Sequence, residues 1–179
     1  MLVYSLLCVA LATGNALFWL HKWHKQGVEL CFADTMMTGV QPSFLLMLLI
    51  PPTLGLVHQL KFILEQPFVI CALDNRSRLA RNLLAALLFI AFRAVMAVSI
   101  PSIALGALLF RGGKPCTWES GASYYAYMTG QTLITPVKTG SLIVWQAMTI
   151  WLTVLLVSIL FLSINLSCES HQLGSILSW

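Results

Sequence analysis

Charge is what this sequence has least of. Of 179 residues, ten are Lys or Arg and six are Asp or Glu, 9% in all, where a soluble domain carries about 25%. So few charges cannot cover a water-facing globule. With 59% hydrophobic residues and a mean hydropathy of +0.86, much of the surface must face lipid. The net charge of +4 is scattered through the segments between apolar runs. That placement argues against nucleic acid, which needs a dense basic face, and suits phospholipid headgroups or an acidic partner surface.

Catalytic signatures are lacking too. Gly112-Gly113-Lys114 has neither the rest of a phosphate-cradling loop nor the strand that loop needs. There is no G-x-S-x-G turn and no paired-carboxylate site, so no enzyme activity and no cofactor is expected. The five cysteines are an odd number without C-x-x-C spacing. Cys8 sits in an apolar run as a small hydrophobe. Cys31 and Cys116 fall in segments on the same side of the spans, which leaves a bridge between them open. His21 and His24 have a spacing that suits one metal, but no further ligand stands at fixed distance. They read as interfacial residues flanking Trp23.

What is present is apolar sequence in long runs. Residues 2–20 are free of charge and long enough to cross about 30 Å of hydrocarbon. The run closes on Trp19, Lys22, Trp23 and Lys25, the residue types an interface prefers. It lacks a basic start and a small-residue cleavage site, and so reads as an uncleaved span rather than a leader. A polar loop over residues 26–42 follows. The second span covers residues 43–60, with Pro51-Pro52 at its centre, where two missing donors predict a kink or break. His58 lies near its far end.

The third run, residues 83–110, carries Arg93 and Pro101. Either it is one long tilted helix that places Arg93 about 15 Å in, near mid-membrane, or residues 82–93 lie at the interface and the span begins at Ala94. A long helix starting in the aqueous phase lets Arg93 reach the headgroups. The long helix is favoured. Residues 111–138 hold Trp118, Tyr124, Tyr125 and Tyr127, which predict a segment resting on the membrane surface. The last span is residues 140–166. The expected fold is all-α: one integral membrane bundle of about four transmembrane helices over residues 1–179, multi-pass, with no soluble domain.

Four spans divide the cations almost evenly. Lys61, Arg76, Arg78 and Arg81 lie on one side, and Lys22, Lys25, Arg111, Lys114 and Lys138 on the other. The density of Arg76, Arg78 and Arg81 favours a cytoplasmic position for that stretch.

Residues 64–82, L-E-Q-P-F-V-I-C-A-L-D-N-R-S-R-L-A-R-N, are where charge gathers. Pro67 suits the first turn of a helix. Phe68, Ile70, Cys71 and Leu73 supply apolar contacts, and Asp74-Asn75 offers a cap before the next helix. The stretch reads as a short, partly amphipathic interfacial helix with a basic rim, able to lie on a membrane or dock in a groove of a soluble partner. An ordinary basic stop-transfer loop is the plain reading.

The layout over residues 2–110, with its hydrophobic patch and Arg76-Ser77-Arg78 turn, resembles the first half of a type-2 ABC exporter permease. That family usually has six spans, against the four counted here. The resemblance implies a coupling helix seated in a cleft of a separate ATPase subunit, with a second permease subunit completing the path through the lipid bilayer of an inner or plasma membrane. It assigns partner coupling to Phe68, Leu73, Asp74, Arg76, Arg78 and Arg81. Pro51, Pro52, His58 and Arg93 become candidates for a hinge or translocation path, since ionisable groups within a span are functional candidates by default. The alternative is a non-catalytic accessory subunit of a larger membrane complex.

Overall fold

A computed structural model of the chain describes residues 2–64, 76–110, 116–131 and 137–177. The protein is helical. Among the described residues the only β-type contact is an isolated bridge between Glu29 and Ser123. The helices are α1 (Leu2–Lys25), α2 (Phe32–Thr38), a π-helical turn (Phe44–Leu49), α3 (Ile50–Leu64), α4 (Arg76–Leu109), α5 (Tyr124–Thr129) and α6 (Thr139–Leu177).

Four helical stretches are long and apolar enough to cross a membrane: Leu2–Lys25, Phe44–Ile63, Ala80–Leu109 and Thr139–Asn165. Their outward faces carry Leu6, Phe18, Met47, Phe62, Leu84, Phe92, Val144, Leu156 and Ile164, all exposed. Apolar faces on every span, with the backbone bonded inside helices, are what lipid demands. This is a multi-pass membrane protein.

The core between these helices alternates small and large side chains. Cys8, Ala12, Ala91, Ala94 and Ala97 let α1 and α4 approach, while Phe44, Leu49, Ile90, Val98, Ile150 and Val154 fill the spaces left. Small residues at helix contacts are the usual device where lipid supplies no hydrophobic drive between helices. Polar groups are few, and several are consumed locally. Thr53 Oγ1 donates to the Leu49 carbonyl at 2.7 Å, so its single proton is spent. The 2.9 Å contact with Tyr4 therefore has the tyrosine hydroxyl donating to Thr53.

α4 runs unbroken for 34 residues, about 51 Å at 1.5 Å per residue. The long-helix reading holds, and Pro101 does not interrupt it. Arg93 Nη1 lies 3.5 Å from Ser5 Oγ, which fixes the stagger of two parallel helices. Seventeen residues of α4 precede Arg93 but only three of α1 precede Ser5. The Arg76 end of α4 therefore projects roughly 20 Å past the start of α1.

The segment read from sequence as a polar loop over residues 26–42 is folded into the bundle. α2 packs on α1, α4 and α6, and Ala33, Asp34, Thr35, Met36, Thr38, Gly39 and Val40 are all buried. Asn15 Nδ2 donates to the Thr38 carbonyl at 2.9 Å. Asn15 lies eight residues before Trp23, so the end of α2 sits about 12 Å below the level of Trp23. Irregular backbone at such depth survives only when protein encloses it.

Two glycines make that insertion fit. A Cβ on Gly106 of α4 would stand 2.6 Å from the Phe32 ring and 2.7 Å from Thr35 Oγ1. A Cβ on Gly39 would press on Val98 and the Gln146 amide. The hydroxyls of α2 turn back on their own helix, Thr35 to the Phe32 carbonyl at 2.7 Å and Thr38 to the Thr35 carbonyl at 2.8 Å. The two buried threonine hydroxyls of α2 are thus satisfied within the helix itself.

The proline pair does not break the second span. The chain enters it in π register, with the Ile50 N–H bonded to the Leu45 carbonyl. The wider turn accommodates the rings before α3 continues in α register.

Candidate functional site

Two regions carry the polar chemistry. One is the basic end of α4, and the other is the cap formed by α2 with residues 116–131.

At the basic end, Phe68, Leu73 and Asp74 lie outside the described residues. Arg76 opens α4, and Arg78 and Arg81 are exposed on its first turns. Lys61, counted in the sequence with the same cationic rim, is buried in the last turn of α3.

Of the residues named as hinge or path, Pro51, Pro52 and His58 lie on α3 and Arg93 on α4. Pro51 is exposed and Pro52 half-buried at the start of α3. His58 is exposed, edge-on to Phe161 with centroids 6.4 Å apart. Arg93 is half-buried between α1 and α4, with its guanidinium 4.8 Å from the Phe89 ring centroid. A groove of about 530 Å³ runs beside it, walled by Ser5, Val9, Phe92, Met96, Ala97, Ile100 and Pro101.

The cap is the better-built region. Its centre is Asp34, which is fully buried. Asp34 Oδ2 accepts the Cys31 backbone N–H at 2.7 Å, and Oδ1 accepts the Trp118 indole N–H at 2.7 Å. Burial pushes the carboxyl above its usual range, and the two donors oppose that rise without cancelling it. Asp34 is also the third residue of α2, so one side chain caps its own helix and grips a loop 84 positions away.

Around it, Trp118 stacks on Tyr125 at 5.7 Å, and Trp23 closes on Tyr124 at 4.2 Å. Burial raises the Tyr124 hydroxyl above its ordinary range, with the Gln41 side chain pulling the other way. The Glu29 N–H donates to the Ala122 carbonyl at 2.8 Å, and Ser120 Oγ donates to Glu29 at 2.8 Å. Gly27 and Gly130 turn the chain at φ +76 and +70, the left-handed region glycine enters without strain.

Within residues 116–131, read from sequence as part of a surface segment, the aromatic side chains divide between the cap interior and its outside. Trp118 and Tyr124 point into the cap, while Tyr127 and Met128 remain exposed. Among the described residues no group of three or more His, Cys, Asp or Glu side chains is placed to hold a metal. His21 and His24 stay exposed on either side of buried Trp23.

The sequence reading missed Asp34 and Trp118, and also the buried polar contact of Gln146 with Ser102 at 3.5 Å. The Cys31-x-x-Asp34 spacing, an N-cap position followed three residues later by an acid, was the available signal for α2.

Comparison with known protein families, curated proteins and solved structures finds no match.

Proposed function

We propose that the chain is a membrane-spanning permease subunit of an ATP-driven exporter in an inner or plasma membrane. Hydrolysis takes place in a separate ATPase subunit, and a second permease subunit completes the path. The observation that carries this reading is α4. One rigid helix leads from the exposed Arg78 and Arg81, past α1, to the pocket that receives α2.

A partner that binds the residues before Arg76 more tightly in one state than another shifts the equilibrium between helix arrangements by that difference in affinity. A continuous helix passes such a displacement to whatever packs along it, because packed interiors rearrange between discrete states rather than deform smoothly. Phe68 and Leu73 fill the partner's groove, and Arg76, Arg78 and Arg81 pair with acids on its rim.

The groove beside Arg93 favours a second reading, an accessory subunit of a larger membrane complex. A guanidinium in an apolar groove on the outside of the bundle calls for a neighbour of some kind.

One experiment separates the two. Phe68→Asp and Leu73→Asp, introduced together, are expected to lower co-purified ATPase activity at least tenfold while helicity is unchanged. Retention of a full complement of ATPase by the double variant would sink the coupling reading and leave the accessory one.

A further inference from the structure

The cap brings together two cysteines that no step of the transport reading uses. Cys31 is 1% exposed and stands at the N-cap of α2. It forms one cluster with Ala33, Trp118 and Leu142, and half-buried Cys116 packs against that same cluster. The Asp34 carboxylate binds the Cys31 N–H on one oxygen and the Trp118 indole on the other. It thereby holds the two chain segments in register two residues from Cys116. Cys116 and Cys31 therefore flank the same Asp34–Trp118 bond, two and three residues from its ends. Both thiols are free in the structure.

We propose that Cys31 and Cys116 form an intramolecular disulfide when the cap meets a small-molecule or protein disulfide donor, fastening α2 to the segment that carries Trp118. The chemistry proceeds in two exchanges. The Cys116 thiolate, the more accessible of the two, attacks one sulfur of the donor. A mixed disulfide forms and one donor thiol leaves with a proton. The Cys31 thiolate then attacks the Cys116 sulfur, the second donor thiol departs, and the intramolecular bond closes. The protein loses two hydrogens, and the donor disulfide takes up both electrons and both protons as two thiols.

Burial, with the Asp34 charge next in importance, pushes the Cys31 thiol up to about 11. Burial raises the Cys116 thiol too, and because the thiolate is the nucleophile both exchanges should quicken as pH rises.

The test uses the full chain in detergent micelles, where a soluble donor reaches both faces. The protein is incubated with oxidised glutathione, denatured, alkylated without reduction, digested and mapped by mass. The expected product is a peptide pair joined through Cys31 and Cys116, lighter by two hydrogens than the reduced pair, with Cys8 alkylated. Cys31→Ser is expected to trap glutathione on Cys116, and Cys116→Ser to leave Cys31 a free thiol. Recovery of both thiols alkylated in the wild type would overturn the proposal. So would separate glutathione adducts on each, or a bridge from Cys116 to any other cysteine. Should either variant fail to fold, the wild-type peptide map decides alone.

Discussion

Removing the Asp34 carboxylate is the sharpest perturbation of the cap. Asp34→Ala leaves the Trp118 indole N–H and the Cys31 backbone N–H without acceptors in a site closed to water. Each stranded donor costs about 1–3 kcal/mol. Relief of a buried carboxylate returns part of that, and the net loss is about 2–4 kcal/mol. Trp118→Phe removes one bond rather than two and is expected to cost about 1–2 kcal/mol. Because both variants break the 2.7 Å indole–carboxylate bond, their effects overlap, and the double variant should fall short of the sum by about 1 kcal/mol. Thermal unfolding in detergent micelles, followed by circular dichroism, reads the series. At about 2–4 °C per kcal/mol for a chain of this size, Asp34→Ala should melt roughly 4–16 °C below wild type and Trp118→Phe by less. An Asp34→Ala protein melting within 1 °C of wild type would refute the idea that this carboxylate holds α2 to the opposite loop. So would strict additivity of the two changes.

Stability should also depend on pH through the same group. Burial raises the Asp34 carboxyl in the folded state, so the folded chain binds a proton more readily than the unfolded one. That contribution is present below the unfolded carboxylate value and is lost as pH rises to the raised folded value. Melting temperature should fall with rising pH across that window, and Asp34→Asn should flatten the profile. At the opposite wall of the insert, Gly106→Ala puts a Cβ 2.6 Å from Phe32. It should destabilise by about 1–3 kcal/mol and increase proteolysis between residues 26 and 42, whereas an unchanged digestion pattern would contradict the close fit of α2. Gln146→Leu removes a buried amide whose Oε1 has no hydrogen-bond partner and should melt at or above the wild-type temperature. A fall of several degrees would mean that the amide is satisfied.

The spans were legible because hydropathy over about 20 residues answers to the bilayer and needs no partner to interpret. The insertion of α2 was not legible. Asp34, Thr35 and Thr38 look like a water-facing loop, and only their bonds to Trp118, Phe32 and Thr35 make them tolerable inside. The partners of Asp34 and Arg93 lie 84 and 88 positions away, beyond any local pattern. Pro51-Pro52 announced lost donors, but sequence did not show that a π turn would absorb them instead of a break. The aromatic residues of 116–131 signalled an interface, and which of them turn inward depended on Trp23 and Asp34 being there to meet them. Residues 65–75, on which the sequence placed the coupling patch, lie outside the described residues.

Photocrosslinking in native membranes bears most directly on the exporter reading, with benzoylphenylalanine in place of Phe68 in one sample and in place of Tyr127, exposed on the cap, in another. The account predicts a covalent adduct from position 68 to a soluble ATP-hydrolysing subunit and none from position 127. Adducts from position 68 to lipid alone, or an ATPase captured from position 127 instead, would contradict it.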